Sequence, residues 1–243
     1  MMCKDKVAIV TGAAGNGMGR SIALTLAREG AKVVVNYLTS EDSANAIVQH
    51  IENRGGDAVA CRADVTQPDE CQALVNAGIE MFGRIDICVV GPGAGWHPEA
   101  IDKLDASAAL DDARRELAPI YHLMPRVLPG MYERKWGRLI SIALLPPYNS
   151  PTYAYNVAKA ARVHALLIAR DSAWSHGVTV NLVAPGPVPG IQSFEHAIEQ
   201  CDHGAAWQER GTTSPQDIAE SVAFLCSESG NFISGAVLPF MFR

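Results

Sequence analysis

Short apolar runs alternate with longer amphipathic stretches along nearly the whole chain. The runs at residues 6–11, 32–36, 58–62, 85–91, 137–143, 178–183 and 235–239 are mostly Val, Ile, Leu and Ala, with little polar alternation. That pattern predicts strands buried on both faces. Between them, apolar residues at three- and four-residue spacing predict helices over 19–29, 41–54, 68–82, 110–135, 151–175 and 215–227. Strand-then-helix alternation predicts an α/β fold: one domain over residues 1–243, with a doubly wound parallel sheet of about seven strands and helices on both faces. The pattern lapses over 184–213, which opens on Pro185-Gly186-Pro187-Val188-Pro189-Gly190. An irregular stretch of that length after a strand's carboxyl end is expected to cover a substrate as a lid.

Composition narrows the class of function. With 243 residues, 48% of them hydrophobic, the chain is large enough for one substantial core. A net charge of −6 argues against nucleic acid or an anionic membrane as the main partner. Neither the opening Met1-Met2-Cys3-Lys4-Asp5-Lys6 nor any later run has the apolar length of a leader or a membrane span, so a cytoplasmic location is expected. The cysteines at 3, 61, 71, 88, 201 and 226 form no CxxC pair and no metal-ligand cluster with His. They read as small buried residues in a reducing compartment, and no metal is expected.

The most specific chemical signal is Thr11-Gly12-Ala13-Ala14-Gly15-Asn16-Gly17-Met18-Gly19, between the first apolar run and the amphipathic segment from Arg20 to Arg28. Glycines there let the backbone approach a dinucleotide pyrophosphate, and the following helix start offers free N–H groups. A second signal is the pair Tyr155 and Lys159. Residues four apart share one helix face, and an ammonium beside a phenol favours the phenolate, which would lower the phenol's pKa from about 10. Tyr155 is then a candidate acid for a carbonyl oxygen accepting hydride, or base for an alcohol losing it.

These segments, with Ala63-Asp64-Val65, Asn181-Leu182-Val183-Ala184-Pro185-Gly186 and Phe224-Leu225-Cys226-Ser227, occur in the order and at the distances that resemble the short-chain dehydrogenase/reductase family, particularly its ketoacyl-reductase-like members. The resemblance covers essentially the whole chain. It implies a Rossmann-type domain and NAD(P)-dependent hydride transfer to or from a small-molecule carbonyl or secondary alcohol. It implies cofactor contacts from Gly12, Asn16, Gly17, Met18, Gly19, Asp64, Val65, Gly91, Tyr155, Lys159, Pro185, Gly186 and Val188. Lys159 would also hold the nicotinamide ribose, and Asp64 the adenine, with capping of the next helix as its plainer role. Val35-Asn36-Tyr37-Leu38-Thr39-Ser40 has no carboxylate to bind a ribose 2′-hydroxyl, so NADP(H) is favoured weakly over NAD(H).

The chain also departs from the family's pattern. Its glycine turn is one residue longer, so Gly15 or Asn16 must bulge. Val90-Gly91-Pro92-Gly93 stands where the family has Asn-Asn-Ala-Gly, and Glu116 stands where its catalytic asparagine belongs. Glu116 is expected to be a solvated helix carboxylate, with the alternative that it holds a water or a basic substrate group. Ala143 or Leu144 occupies the place of the active serine. Ser141 is the hydroxyl retained beside Tyr155 and Lys159 as a catalytic candidate, although a plain strand residue is its better-supported role. Ser150 and Thr152 read as helix-capping residues, and His97 and His122 as surface or satisfied histidines.

Three functions therefore stay open: an oxidoreductase, a catalytically silent nucleotide-binding protein, and a non-redox enzyme using Tyr155 as acid/base. The alanines around Ala158 and the apolar Val237-Leu238-Pro239-Phe240-Met241-Phe242 predict a homo-oligomer, and the family resemblance implies a tetramer or dimer.

Overall fold

Seven parallel strands form a single sheet in the order β3-β2-β1-β4-β5-β6-β7. The computed structural model describes all residues except 92, 96–97, 146–151, 187, 189–192, 207–209 and 241–243. The strands are β1 (Val7–Val10), β2 (Lys32–Tyr37), β3 (Ala58–Arg62), β4 (Ile87–Val90), β5 (Gly137–Ile142), β6 (Val178–Ala184) and β7 (Val237–Pro239). The helices are α1 (Met18–Arg28), α2 (Glu41–Asn53), α3 (Pro68–Phe82), α4 (Ala106–Glu133), α5 (Tyr153–Trp174), α6 (Phe194–His203) and α7 (Pro215–Cys226). Every strand and helix expected from the sequence is present.

The unbroken apolar runs have a direct structural meaning. All of β1, β4, β5 and β6 is buried, and alternate side chains enter different cores. Ala8 and Val10 pack with Ile22 and Leu26 of α1, Ile47 of α2 and Val222 of α7. Val7 and Ile9 pack instead with Leu74 of α3, Leu123 of α4 and Leu166 of α5. Three helices or more cover each face, which is the doubly wound arrangement.

Two elements correct the expected boundaries. Helix α4 begins at Ala106, because the Asp105 carboxylate caps it by accepting from the Ser107 and Ala108 N–H groups. The stretch 184–213 is not irregular throughout, since it contains α6. Ser193 caps that helix, and its Ala197 and Cys201 are buried in the same core as Leu24 and Leu26 of α1.

The strand order reverses between β1 and β4, which are hydrogen-bonded neighbours although their following connections run to opposite sides. A crevice opens at such a switch point, outside the strands' carboxyl ends. The Gly-rich turn leaves β1 there, and Gly91 leaves β4.

Candidate active site

The turn after β1 is held open by specific bonds. Thr11 ties the two switch-point strands together: its hydroxyl donates to the Val89 carbonyl (3.2 Å) and accepts from the Gly91 N–H (2.9 Å). Gly12 follows with φ +62°, in the left-handed region that favours glycine. Its N–H donates to Oδ1 of the buried Asn36 (3.1 Å), while the Asn36 carbonyl accepts from Ala13 (2.8 Å). The same Asn36 amide donates to the carbonyls of Cys61 (3.2 Å) and Ala63 (3.0 Å). One side chain thus anchors the glycine turn to β3. In sequence Asn36 registers only as a missing acid.

Gly19 fits because a β-carbon would collide with the Gly12 carbonyl oxygen, whereas one on Gly17 would meet no protein atom within 4 Å. Gly17 is the N-cap of α1 and supplies no side-chain cap, so no side chain stands between the first-turn N–H groups and a ligand. The bulge expected at Gly15 or Asn16 is exposed, and Asn16 accepts from the Arg20 guanidinium at 2.7 Å. Half-buried Met18 opens α1. Backbone amides beside open space, on a tight glycine turn, suit a pyrophosphate.

A cavity of about 350 Å³ continues this cradle, bounded by Gly12, Asn36, Leu38, Asp64 and Val65. Arg114 and Arg115 of α4 also line it, bringing positive charge that the local sequence around Asn36 lacks. Asp64 does not cap α3, whose N-cap is Gln67. Its Oδ1 instead accepts from the Thr66 N–H (2.9 Å) and hydroxyl (2.8 Å). Burial pushes the Asp64 carboxyl up, but these Thr66 bonds outweigh it and hold the carboxyl below its usual range. At the carboxyl end of β6, Pro185 is buried, and Gly186 and Val188 are half-buried.

Tyr155 and Lys159 lie on α5 as expected, with the Lys159 Nζ 5.3 Å from the Tyr155 ring centre. The surroundings of the pair overturn two expectations. Glu116 is fully buried rather than solvated. Its Oε1 lies 2.8 Å from the Lys159 ammonium and accepts from the Ala94 N–H (2.7 Å), and its Oε2 lies 2.7 Å from Nε of Arg162. Arg162, also without exposed surface, donates to the carbonyls of Glu116, Gly91 and Ile142, each at 3.1 Å. A β-carbon on Gly93 would collide with the Glu116 carboxylate, so this glycine makes room for it.

The second correction concerns the phenol. The half-buried Tyr155 has its pKa raised, first by burial and then by Glu116, with Asp112 adding to the effect and Arg162 opposing it. Burial also lowers the Lys159 pKa, against the pull of Glu116. The simple expectation of an ammonium depressing the phenol fails because burial, joined by the Glu116 and Asp112 carboxylates, outweighs the neighbouring positive charge.

Ser141 does not present an open hydroxyl. It is fully buried in β5, and its Oγ donates to the Val90 carbonyl at 3.2 Å. Thr152, the N-cap of α5, is buried but makes no side-chain cap bond. Ser150 and His97 lie outside the described residues, and His122 is half-buried on α4. Among the described residues no His, Cys, Asp and Glu group could hold a metal ion. Arg162 was absent from the sequence candidates. Its spacing after Tyr155 and Lys159, on the same helix face, was the available signal.

Known proteins share this architecture. The sequence model of the family described as Enoyl-(Acyl carrier protein) reductase matches residues 12–240. The 7alpha-hydroxysteroid dehydrogenase of Escherichia coli (strain K12) is 33% identical, over 96% of this chain and 91% of that protein. The 3-oxoacyl-acyl-carrier-protein reductase FabG of Staphylococcus epidermidis is 31% identical, over 96% of both chains. A structure of 7alpha-hydroxysteroid dehydrogenase complexed with NADH and 7-oxo glycochenodeoxycholic acid superposes with a TM-score of 0.84 at 29% identity, covering 98% of this chain and 94% of that one. The glycine turn, the strand order, the Tyr155/Lys159 pair and these similarities together make the chain a member of the short-chain dehydrogenase/reductase family of NAD(P)-dependent oxidoreductases.

Proposed function

We propose that this protein interconverts a small-molecule carbonyl and its secondary alcohol, with Tyr155 as the acid/base. The observation that carries this reading is the placement of Tyr155 and Lys159 together on α5, with Lys159 linked through Glu116 to Ala94 after β4, near the carboxyl ends of the central strands where the glycine cradle opens. A nicotinamide cofactor, when bound, supplies or accepts the hydride. The chain's own contribution is to seat the pyrophosphate at the Gly12–Gly19 turn and to move a proton at the Tyr155 hydroxyl. Ser141 is too enclosed to serve as the second donor. A substrate carbonyl is then oriented by the phenol and by backbone groups around the cleft. The relatives named for steroid and acyl-carrier-protein substrates support a carbonyl on an extended apolar molecule.

The preferred cofactor is NADP(H). No acidic side chain ends β2, and Arg114 and Arg115 line the adjoining cavity beside Leu38, although both also pair with Asp111. Calorimetric titration is expected to show NADPH binding more tightly than NADH. Tighter NADH would overturn the phosphate preference, and no binding of either would remove the cofactor assignment.

Asp64 and Val65 are assigned to the adenine side, Gly91, Pro185, Gly186 and Val188 to the nicotinamide side, and 184–213 to substrate cover, with α6 as its anchored part. All six cysteines are free, and five of them are buried, which supports a reducing, cytoplasmic setting. No described helix is long and apolar enough to cross a membrane. A homo-oligomer is supported by the exposed Leu110 and Tyr121 on α4, Val157 and Ile168 on α5, and Leu238 on the edge strand β7. Light scattering is expected to give a multiple of the 26.0 kDa chain mass, and a monomer at micromolar concentration would contradict the assembly.

The silent-binder reading has one specific observation in its favour, the capture of Lys159 by Glu116. Absence of turnover on every carbonyl and alcohol tried, with cofactor demonstrably bound, would establish it.

A further inference from the structure

The buried carboxylate of Glu116 is fixed from several sides, by Lys159, by Arg162 and by the Ala94 N–H, over a glycine that leaves it space. Arg162 is itself locked by carbonyls at the ends of β4, β5 and the middle of α4. We propose that Glu116 is a positioning residue that takes the Lys159 ammonium out of the phenol's service, so that the site is built to donate a proton to a carbonyl rather than to remove one from an alcohol. This inference rests on Tyr155 being the acid/base.

The charges facing Tyr155 explain the direction. From α4 come Glu116 and Asp112, and from its own helix come Lys159 and Arg162. Two carboxylates offset two cations, so a phenolate gains no net positive field to set against its burial. Burial, Glu116 and Asp112 all favour the neutral phenol, and Arg162 alone among the resolved influences opposes them. A neutral phenol can give its proton.

In the reduction, a bound nicotinamide would supply the hydride for the new C–H bond, being oxidised by the two electrons the carbonyl gains. Tyr155 would give its proton to the carbonyl oxygen to form the alcohol O–H, and the tyrosinate would recover its proton from water. The reverse direction starts from the phenolate and is therefore favoured by rising pH.

The test reads the phenol directly, without cofactor or turnover. The chain has six tyrosines, so the tyrosinate absorbance of the wild type is titrated against that of Tyr155→Phe. The difference isolates Tyr155. Its ionisation is expected above the ordinary value of 10. Glu116→Gln, which keeps the shape and leaves both cations, should bring it down by about one unit or more, a tenfold or greater rise in phenolate at fixed pH. The same variant should move the alkaline limb of carbonyl reduction down while changing KM for the carbonyl much less than the pH profile. Wild-type ionisation at or below the ordinary value of 10, or an unmoved Tyr155 in a folded Glu116→Gln protein, would overturn the proposal. Breaking a buried ion pair is strongly destabilising. Should the variant not fold, the wild-type titration alone decides. Failure of the catalytic reading shows separately, as Tyr155→Phe turnover equal to wild type.

Discussion

Tyr155→Phe is expected to lower turnover of a carbonyl substrate by about 10²–10⁴-fold, the usual contribution of a positioned acid/base, while leaving NADPH affinity within about twofold. The phenol serves the reacting oxygen, and its ring stays to fill the half-buried position on α5. Lys159→Ala should behave differently. It removes an ammonium that lies 2.8 Å from Glu116 and 5.3 Å from the Tyr155 ring centre, so it leaves the carboxylate with Arg162 as its remaining cation. Both cofactor affinity and turnover should fall. Steady-state kinetics with parallel calorimetry separate the two patterns, and unchanged turnover in Tyr155→Phe would remove the mechanism.

The legibility of this site in sequence depends on how local each cause is. The central strands were readable because burial on both faces leaves little polar alternation, whereas the edge strands β3 and β7 are only half-buried or exposed. Val7 and Ile9 enter one core and Ala8 and Val10 the other, so every position in β1 is apolar. Helix α6 was equally local: Phe194, Ala197, Ile198 and Cys201 have helical spacing behind the cap Ser193, but the Pro/Gly stretch before it masked the pattern. The glycine turn and the Tyr155/Lys159 pair were legible because each depends only on local spacing, along one turn and along one helix face.

Glu116 was misread, and the anchoring role of Asn36 missed, for the opposite reason. A carboxylate on a helix is ordinarily solvated, and the burial of this one depends on Lys159 and Arg162 from the next helix and on a missing β-carbon at Gly93. Asn36 matters through bonds to Gly12 and Ala63, which meet only when three strands are assembled. The positive lining from Arg114 and Arg115 likewise arrives from α4, far along the chain from β2. Sequence reasoning found the departure at Glu116 and could not see what accommodates it. The carboxylate in the asparagine's place has its own cations, and its demand for space is met next door.

The two glycines of the cradle give a sharper test, because the protein treats them differently. At Gly19 a new β-carbon strikes the Gly12 carbonyl oxygen and lies 3.1 Å from the Ala13 Cα, all rigid backbone at a turn already held by Asn36. Gly19→Ala must therefore displace the turn, at a cost of about 1–3 kcal/mol typical of overpacking, and should both lower the thermal midpoint and weaken NADPH by about a hundredfold. At Gly17 nothing in the protein lies within 4 Å of the new carbon. Gly17→Ala should leave the midpoint nearly unchanged yet still weaken NADPH by about tenfold, because the methyl group enters the space a pyrophosphate must approach at the start of α1. Calorimetric titration and thermal unfolding of the two variants measure both quantities. If Gly17→Ala binds NADPH as well as the wild type, the pyrophosphate does not lie against the α1 N-terminus, and the cradle assignment falls even though the turn is intact.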